Sequence, residues 1–99
     1  MLAINENKLY VEFCFVGVKA KTEKAVLVIL NDGYDFWLPK SQIVVQYGDK
    51  INHFAIIPYY VADNAGLLNK SWNGQNVHQV ITRTGKELKD YLSKHGIKF

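Results

Sequence analysis

The chain has 99 residues, 12 basic and 9 acidic side chains and 48% apolar residues, the profile of one compact domain with room for one core but not for a second domain or a large cofactor cleft. Its single cysteine, Cys14, excludes an intramolecular disulfide and points to a reducing, cytoplasmic compartment. The net charge of +3 is unevenly placed, since residues 1–63 hold six lysines against seven acids whereas residues 64–99 hold six cations against two acids, an asymmetry that serves solubility or an acidic partner.

Met1-Leu2-Ala3-Ile4 is too short for a signal-peptide core and runs directly into polar residues, and no apolar run reaches the roughly 20 residues of a membrane span. From Leu9 to Val18 the chain is rich in β-branched and aromatic residues with no helical spacing, which predicts a strand. Leu9, Val11, Phe13 and Phe15 share one face and Tyr10, Glu12, Cys14, Val16 and Val18 the other. Only Glu12 is charged, so much of both faces should be covered, and Gly17 marks a bulge or bend. Lys19 to Lys24 reads as a polar connection. Ala25 to Leu30 is the second predicted strand, and Asp32-Gly33 is a hairpin signal returning the chain through Tyr34 to Leu38. A two-residue loop there pairs Ile29 with Phe36 and Leu27 with Leu38, making those four the core face and sending Trp37 out beside Asp35.

Pro39 ends that strand. Further strands are predicted at Ile43–Gln46 and Asn52–Ile57, separated by a turn at Tyr47-Gly48-Asp49, and a short helix from Pro58 to Ala65 with Gly66 beyond its end. Val77 to Ile81 reads as an edge strand. Thr84-Gly85-Lys86-Glu87 matches a capping box, and Leu88, Tyr91, Leu92 and His95 form one stripe of a C-terminal helix spanning about 84–95.

The residues ask for no enzyme chemistry. His53, His78 and His95 have no metal-motif spacing, Cys14 lies between two phenylalanines, and no phosphate-binding glycine loop or nucleophile elbow occurs. Neither a catalytic group, a metal nor a cofactor is expected. Binding chemistry is better represented. Lys19, Lys21, Lys24 and Lys40 surround the hairpin that carries Tyr34 and Trp37, and lysines beside aromatic faces suit single-stranded nucleic acid. The alternative packs Trp37 beneath the C-terminal helix and leaves the lysines as a solvated rim. Tyr59, Tyr60 and Trp72, with Arg83 and Lys86 in the basic last third, make a second group of the kind that anchors protein interfaces.

Thr22-Glu23-Lys24-Ala25 before a hydrophobic strand, Trp37-Leu38-Pro39-Lys40-Ser41-Gln42-Ile43, and Ile57-Pro58-Tyr59-Tyr60 ending at Gly66-Leu67 resemble the pattern of a group of small, largely uncharacterised phage and prophage proteins. The resemblance covers about residues 16–68, with Tyr60 where that group usually has Trp. It implies a mobile-element origin and a bacterial host cytoplasm rather than a particular activity.

The expected fold is α+β: a curved antiparallel sheet or OB-like or SH3-like barrel of about five strands, with a short helix and a C-terminal helix. Residues 8–68 form the β core of one domain and 69–99 an extension. Two functions are expected, neither enzymatic. One is single-stranded nucleic-acid binding through Lys19, Lys21, Lys24, Tyr34, Trp37 and Lys40. The other is inhibition of a host nuclease or defence complex through Tyr59, Tyr60, Trp72, Arg83 and Lys86. A homo-oligomer is left open and no membrane partner is expected.

Overall fold

The computed structural model describes residues 3–48 and 51–98. Met1, Leu2 and Asp49 of the predicted turn lie outside the described residues. Among the described residues, seven strands form two antiparallel sheets: β1 (Leu9–Phe15), β2 (Gly17–Lys21), β3 (Ala25–Ile29), β4 (Asp35–Pro39), β5 (Val45–Gly48), β6 (His53–Pro58) and β7 (Ile81–Thr84), joined by helices α1 (Tyr59–Asn64) and α2 (Gly85–Lys94). The four-stranded sheet has the order β5-β6-β1-β7 and the three-stranded sheet the order β2-β3-β4.

The alternation in β1 builds three layers. Val11, Phe13 and Phe15 face the three-stranded sheet and meet Val28, Leu30, Phe36 and Leu38 in one core. Tyr10, on the opposite face, joins Val44, Val45, Ile56, Leu88 and Leu92 in a second core under α2. Both faces of β1 are therefore covered, as the near absence of charge in that run requires. Thr84 closes its capping box with Glu87, each side chain bonding the other residue's backbone amide, and α2 starts there. The turn into α2 also fixes the N-terminal segment. A Cβ on Gly85 would lie 1.9 Å from the Asn5 carbonyl oxygen, so only glycine fits that crossing.

Several boundaries differ from the sequence expectation. The sheets do not close into a barrel. The chain passes from one to the other at the bend between β1 and β2, where the Val16 amide donates to the Ile29 carbonyl at 2.8 Å. Beyond that corner, α1 rather than another strand lies beside the end of β4. Residues 17–21 are a strand with a bulge between Val18 and Ala20, so the connection shrinks to Thr22–Lys24. The strand expected at Ile43–Gln46 is Val45–Gly48, because Lys40–Gln42 forms a 3-10 turn that delays it. Pro58 ends β6 as the N-cap of α1 instead of starting the helix. The edge strand expected at Val77–Ile81 begins only at Ile81, after Gln79 turns the chain at φ 54°.

The hairpin register is shifted by one residue. Its loop is Asn31-Asp32-Gly33, with Gly33 at φ 90° and the Leu30 amide bonded to the Tyr34 carbonyl at 2.8 Å. Three-residue loops of this kind need a left-handed residue before the returning strand, and Gly33 supplies it. Val28 then pairs with Phe36 and Leu27 with Trp37. Since side chains alternate, the slip moves Leu27 and Ile29 out of the core and puts Val26, Val28 and Leu30 in their place. Phe36 and Leu38 are in the core and Trp37 faces out, as expected from the sequence.

Candidate functional site

The structure separates residues that are close in sequence. Tyr34 does not stand free at the hairpin tip. Its hydroxyl donates to the Ala65 carbonyl at 2.6 Å and its ring lies 4.4 Å from that of His78. Lys40 lies just past the far end of β4, whose five residues span about 17 Å at ~3.4 Å each, and the Lys40 amide donates to the Lys24 carbonyl at 2.9 Å. Lys21 and Lys40 line one cleft of about 250 Å³ at the mouth between the sheets. Lys19 is on the outer face, 2.8 Å from Asp35. Lys21, Lys24 and Lys40 thus gather at one end of the small sheet, Tyr34 lies at the other, and the charge of Lys19 is countered.

Trp37 projects from the outer face of the three-stranded sheet beside Leu27 and is 49% exposed. It does not pack beneath α2, which covers the other sheet. Trp37 and Pro39 instead form one wall of a cleft of about 370 Å³, whose far wall is Tyr60 and Val61 of α1. Tyr60 is 59% exposed and its hydroxyl donates to Gln42 Oε1 at 2.8 Å, which fixes the ring. On its other side, Tyr60 and Tyr59 border a second cleft of about 690 Å³ with Ile4, Lys8 and Leu9. Tyr60 is therefore a ridge between two clefts. Trp37 and the Tyr59-Tyr60 pair, assigned to separate surfaces by sequence, form one aromatic face.

The other residues of the predicted protein-binding group lie elsewhere. Lys86 is exposed in the first turn of α2. Arg83 is turned inward: its guanidinium carbon lies 3.8 Å from the Tyr91 ring centroid and its Nη1 3.4 Å from Glu12 Oε1. Glu12 is 7% exposed and accepts a hydrogen bond from the Tyr47 hydroxyl. Burial, followed by the bonds to Glu12 and Tyr91, pushes the Tyr47 hydroxyl far above its usual value. This cluster clamps α2 to its sheet. Trp72 is 98% exposed on a separate turn.

One pairing had no sequence signal. His78 Nδ1 lies 2.7 Å from Asp32 Oδ2, 46 residues away in the chain, and ties the segment after α1 to the hairpin loop. Burial pushes the Asp32 carboxyl up, but the Tyr34 amide and the His78 ring outweigh it and hold the carboxyl below its ordinary 3.8. A depressed folded pKa contributes stability that is present above 3.8 and is lost as pH falls through the folded value. His78→Ala is expected to accelerate proteolysis within residues 69–80 and to flatten the acid limb of the urea midpoint below about pH 4. An unchanged cleavage rate would show that this pair does not hold the segment.

No protein-family model, curated protein or solved structure matches this chain. Among the described residues, no group of three or more His, Cys, Asp or Glu is placed to hold a metal ion, and no helix is long and apolar enough to cross a membrane.

Proposed function

We propose that the chain is a non-enzymatic protein-binding module that docks a partner against the aromatic face around α1. The observation that carries this reading is the Tyr60 ridge, held by Gln42, with Trp37 across one cleft and Tyr59 and Leu9 at the other. Large, partly exposed aromatic rings on a fixed backbone lose little conformational freedom on binding and are the commonest interface anchors. With the mobile-element origin that the resemblance to small phage proteins implies, the partner we propose is a host nuclease or defence complex. Tyr34 lies at the opposite end of the small sheet from Lys21, Lys24 and Lys40, and Lys19 is paired with Asp35, which weighs against a nucleic-acid surface centred on the hairpin.

The test is affinity capture from nuclease-treated host lysate with the wild type and with a Trp37→Ala/Tyr60→Ala double variant. A stoichiometric protein held by the wild type and lost at least tenfold by the variant is expected, in keeping with the ≥ 2 kcal/mol typical of interface hot spots. Undiminished capture by the variant would place the interface off this face, and capture of no protein by the wild type would overturn the reading.

A further inference from the structure

Trp72 is unusual among the large apolar side chains of this protein because it is 98% exposed and yet sits on a well-braced turn. Lys70 bridges to Asn76, the Ser71 amide donates to the Gln75 carbonyl at 2.8 Å, and the Gly74 amide donates to the Ser71 carbonyl at 2.9 Å. Asn73 Oδ1 accepts from the Ser71 hydroxyl and from the Gln75 amide, and Asn76 Oδ1 accepts from the His78 amide at 3.0 Å. Both side-chain amides spend their oxygens inside the turn, which leaves the Nδ2 hydrogens of Asn73 and Asn76 as donors. The charge has the same sense. No acid occurs between Asp63 and Glu87, whereas Lys70 lies two residues before the indole. Asp32, which touches this segment through His78, is occupied by that ring and by the Tyr34 amide.

The turn therefore presents a flat π face, an ammonium group and amide donors, with no carboxylate of its own. A ligand that complements all three carries planar rings, acceptor atoms and negative charge together. We infer that the Trp72 turn is a base-stacking element for single-stranded nucleic acid, separate from the aromatic face around α1. One base stacks on the indole, the adjacent phosphate takes Lys70, and Asn73 and Asn76 donate to base or phosphate oxygens. Stacking tolerates any base, so sequence preference is weak.

The experiment is fluorescence anisotropy with a labelled single-stranded oligothymidylate at low salt, using the full chain. Saturable binding is expected, with affinity falling on a log-log salt plot by about 0.7 per phosphate neutralised. Trp72→Ala should weaken it roughly tenfold to a hundredfold and Trp72→Phe by less, because the ring face is partly restored. The side chain makes almost no contact with the rest of the chain, so the circular dichroism of both variants should match the wild type. A labelled abasic strand of equal length and charge should bind the wild type no better than oligothymidylate binds Trp72→Ala. Absence of binding at low salt, equal binding of the abasic strand, or full affinity in Trp72→Ala would overturn the assignment. So would loss of a nuclease-resistant protein partner in Trp72→Ala without any oligonucleotide binding, which would make the turn a protein anchor. The Trp37→Ala/Tyr60→Ala capture reads a different surface, so either result can fail alone.

Discussion

Replacing Glu12 by alanine is expected to destabilise the protein by about 3–5 kcal/mol, as measured by urea denaturation. Glu12 lies in the middle of β1, on the face covered by α2, and its carboxylate meets the Tyr47 hydroxyl and the Arg83 guanidinium. Removing it leaves Arg83, whose Nη1 is buried without a well-aligned hydrogen bond, as an uncompensated charge beneath Tyr91. It also takes from the half-buried Tyr47 hydroxyl its carboxylate acceptor and leaves it only the longer 3.3 Å contact with the Tyr91 hydroxyl, a further cost. The double change Glu12→Leu with Arg83→Met should recover most of the loss, because a buried ion pair replaced as a unit by apolar side chains is often neutral or stabilising. A single variant as stable as the wild type would mean that the cluster is solvated and does not clamp α2.

The second large effect belongs to the other core. Phe13 is 1% exposed and stands edge-on to Phe36 of the three-stranded sheet, with ring centroids 5.4 Å apart, while Phe15 lies 5.9 Å away along its own strand. It is thus a main contact between the two sheets. Phe13→Ala removes that contact and leaves a cavity between stiff β layers that cannot collapse to fill it, so a loss of about 3–5 kcal/mol is expected. Against a stability of ~5–15 kcal/mol for a domain of this class, the thermal midpoint should fall by more than 10 °C. A loss below about 1 kcal/mol would show that the sheets repack without this ring.

These two residues also show why the β1 run was readable. Its alternation of apolar side chains with one charge required cover on both faces whatever lay on them. The capping box at Thr84 and Glu87 was equally local, since four consecutive residues contain both of its hydrogen bonds. The hairpin was readable as a turn but not in register. Asp32-Gly33 is compatible with loops of two or three residues, and the choice rests on Leu30 and Tyr34 pairing across the loop and on Tyr34 reaching Ala65. Strand β7 starts later than its composition suggests for a related reason. Val77 to Val80 have strand-forming composition, but His78 is held by Asp32 and Gln79 adopts a left-handed backbone, so pairing with β1 starts only at Ile81.

The candidate sites divide in the same way. The sequence singles out Trp37, which alternation sends to the face opposite Phe36 and Leu38, together with the Tyr59-Tyr60 pair and Trp72. Which of them lie together was not in the pattern, since Trp37 and Tyr60 meet only where α1 lies beside the end of β4. The lysines divide differently: Lys40, sixteen residues after Lys24, comes back beside Lys21 and Lys24, whereas Lys19, their neighbour in sequence, turns to the outer face and pairs with Asp35.

Sequence by itself determined what depends on contacts within a few residues: the strand-rich α+β class, the covered faces of β1, the cap and stripe of α2, and the break in charge balance near residue 64. Tertiary structure decided what depends on contacts across tens of residues: two open sheets in place of a barrel, Arg83 turned inward, the Asp32–His78 tie, and the aromatic face around α1. The physical reason is the range of the forces involved. Periodicity and capping act between neighbours in the chain, whereas burial and charge pairing act between neighbours in space, which this chain acquires only on folding.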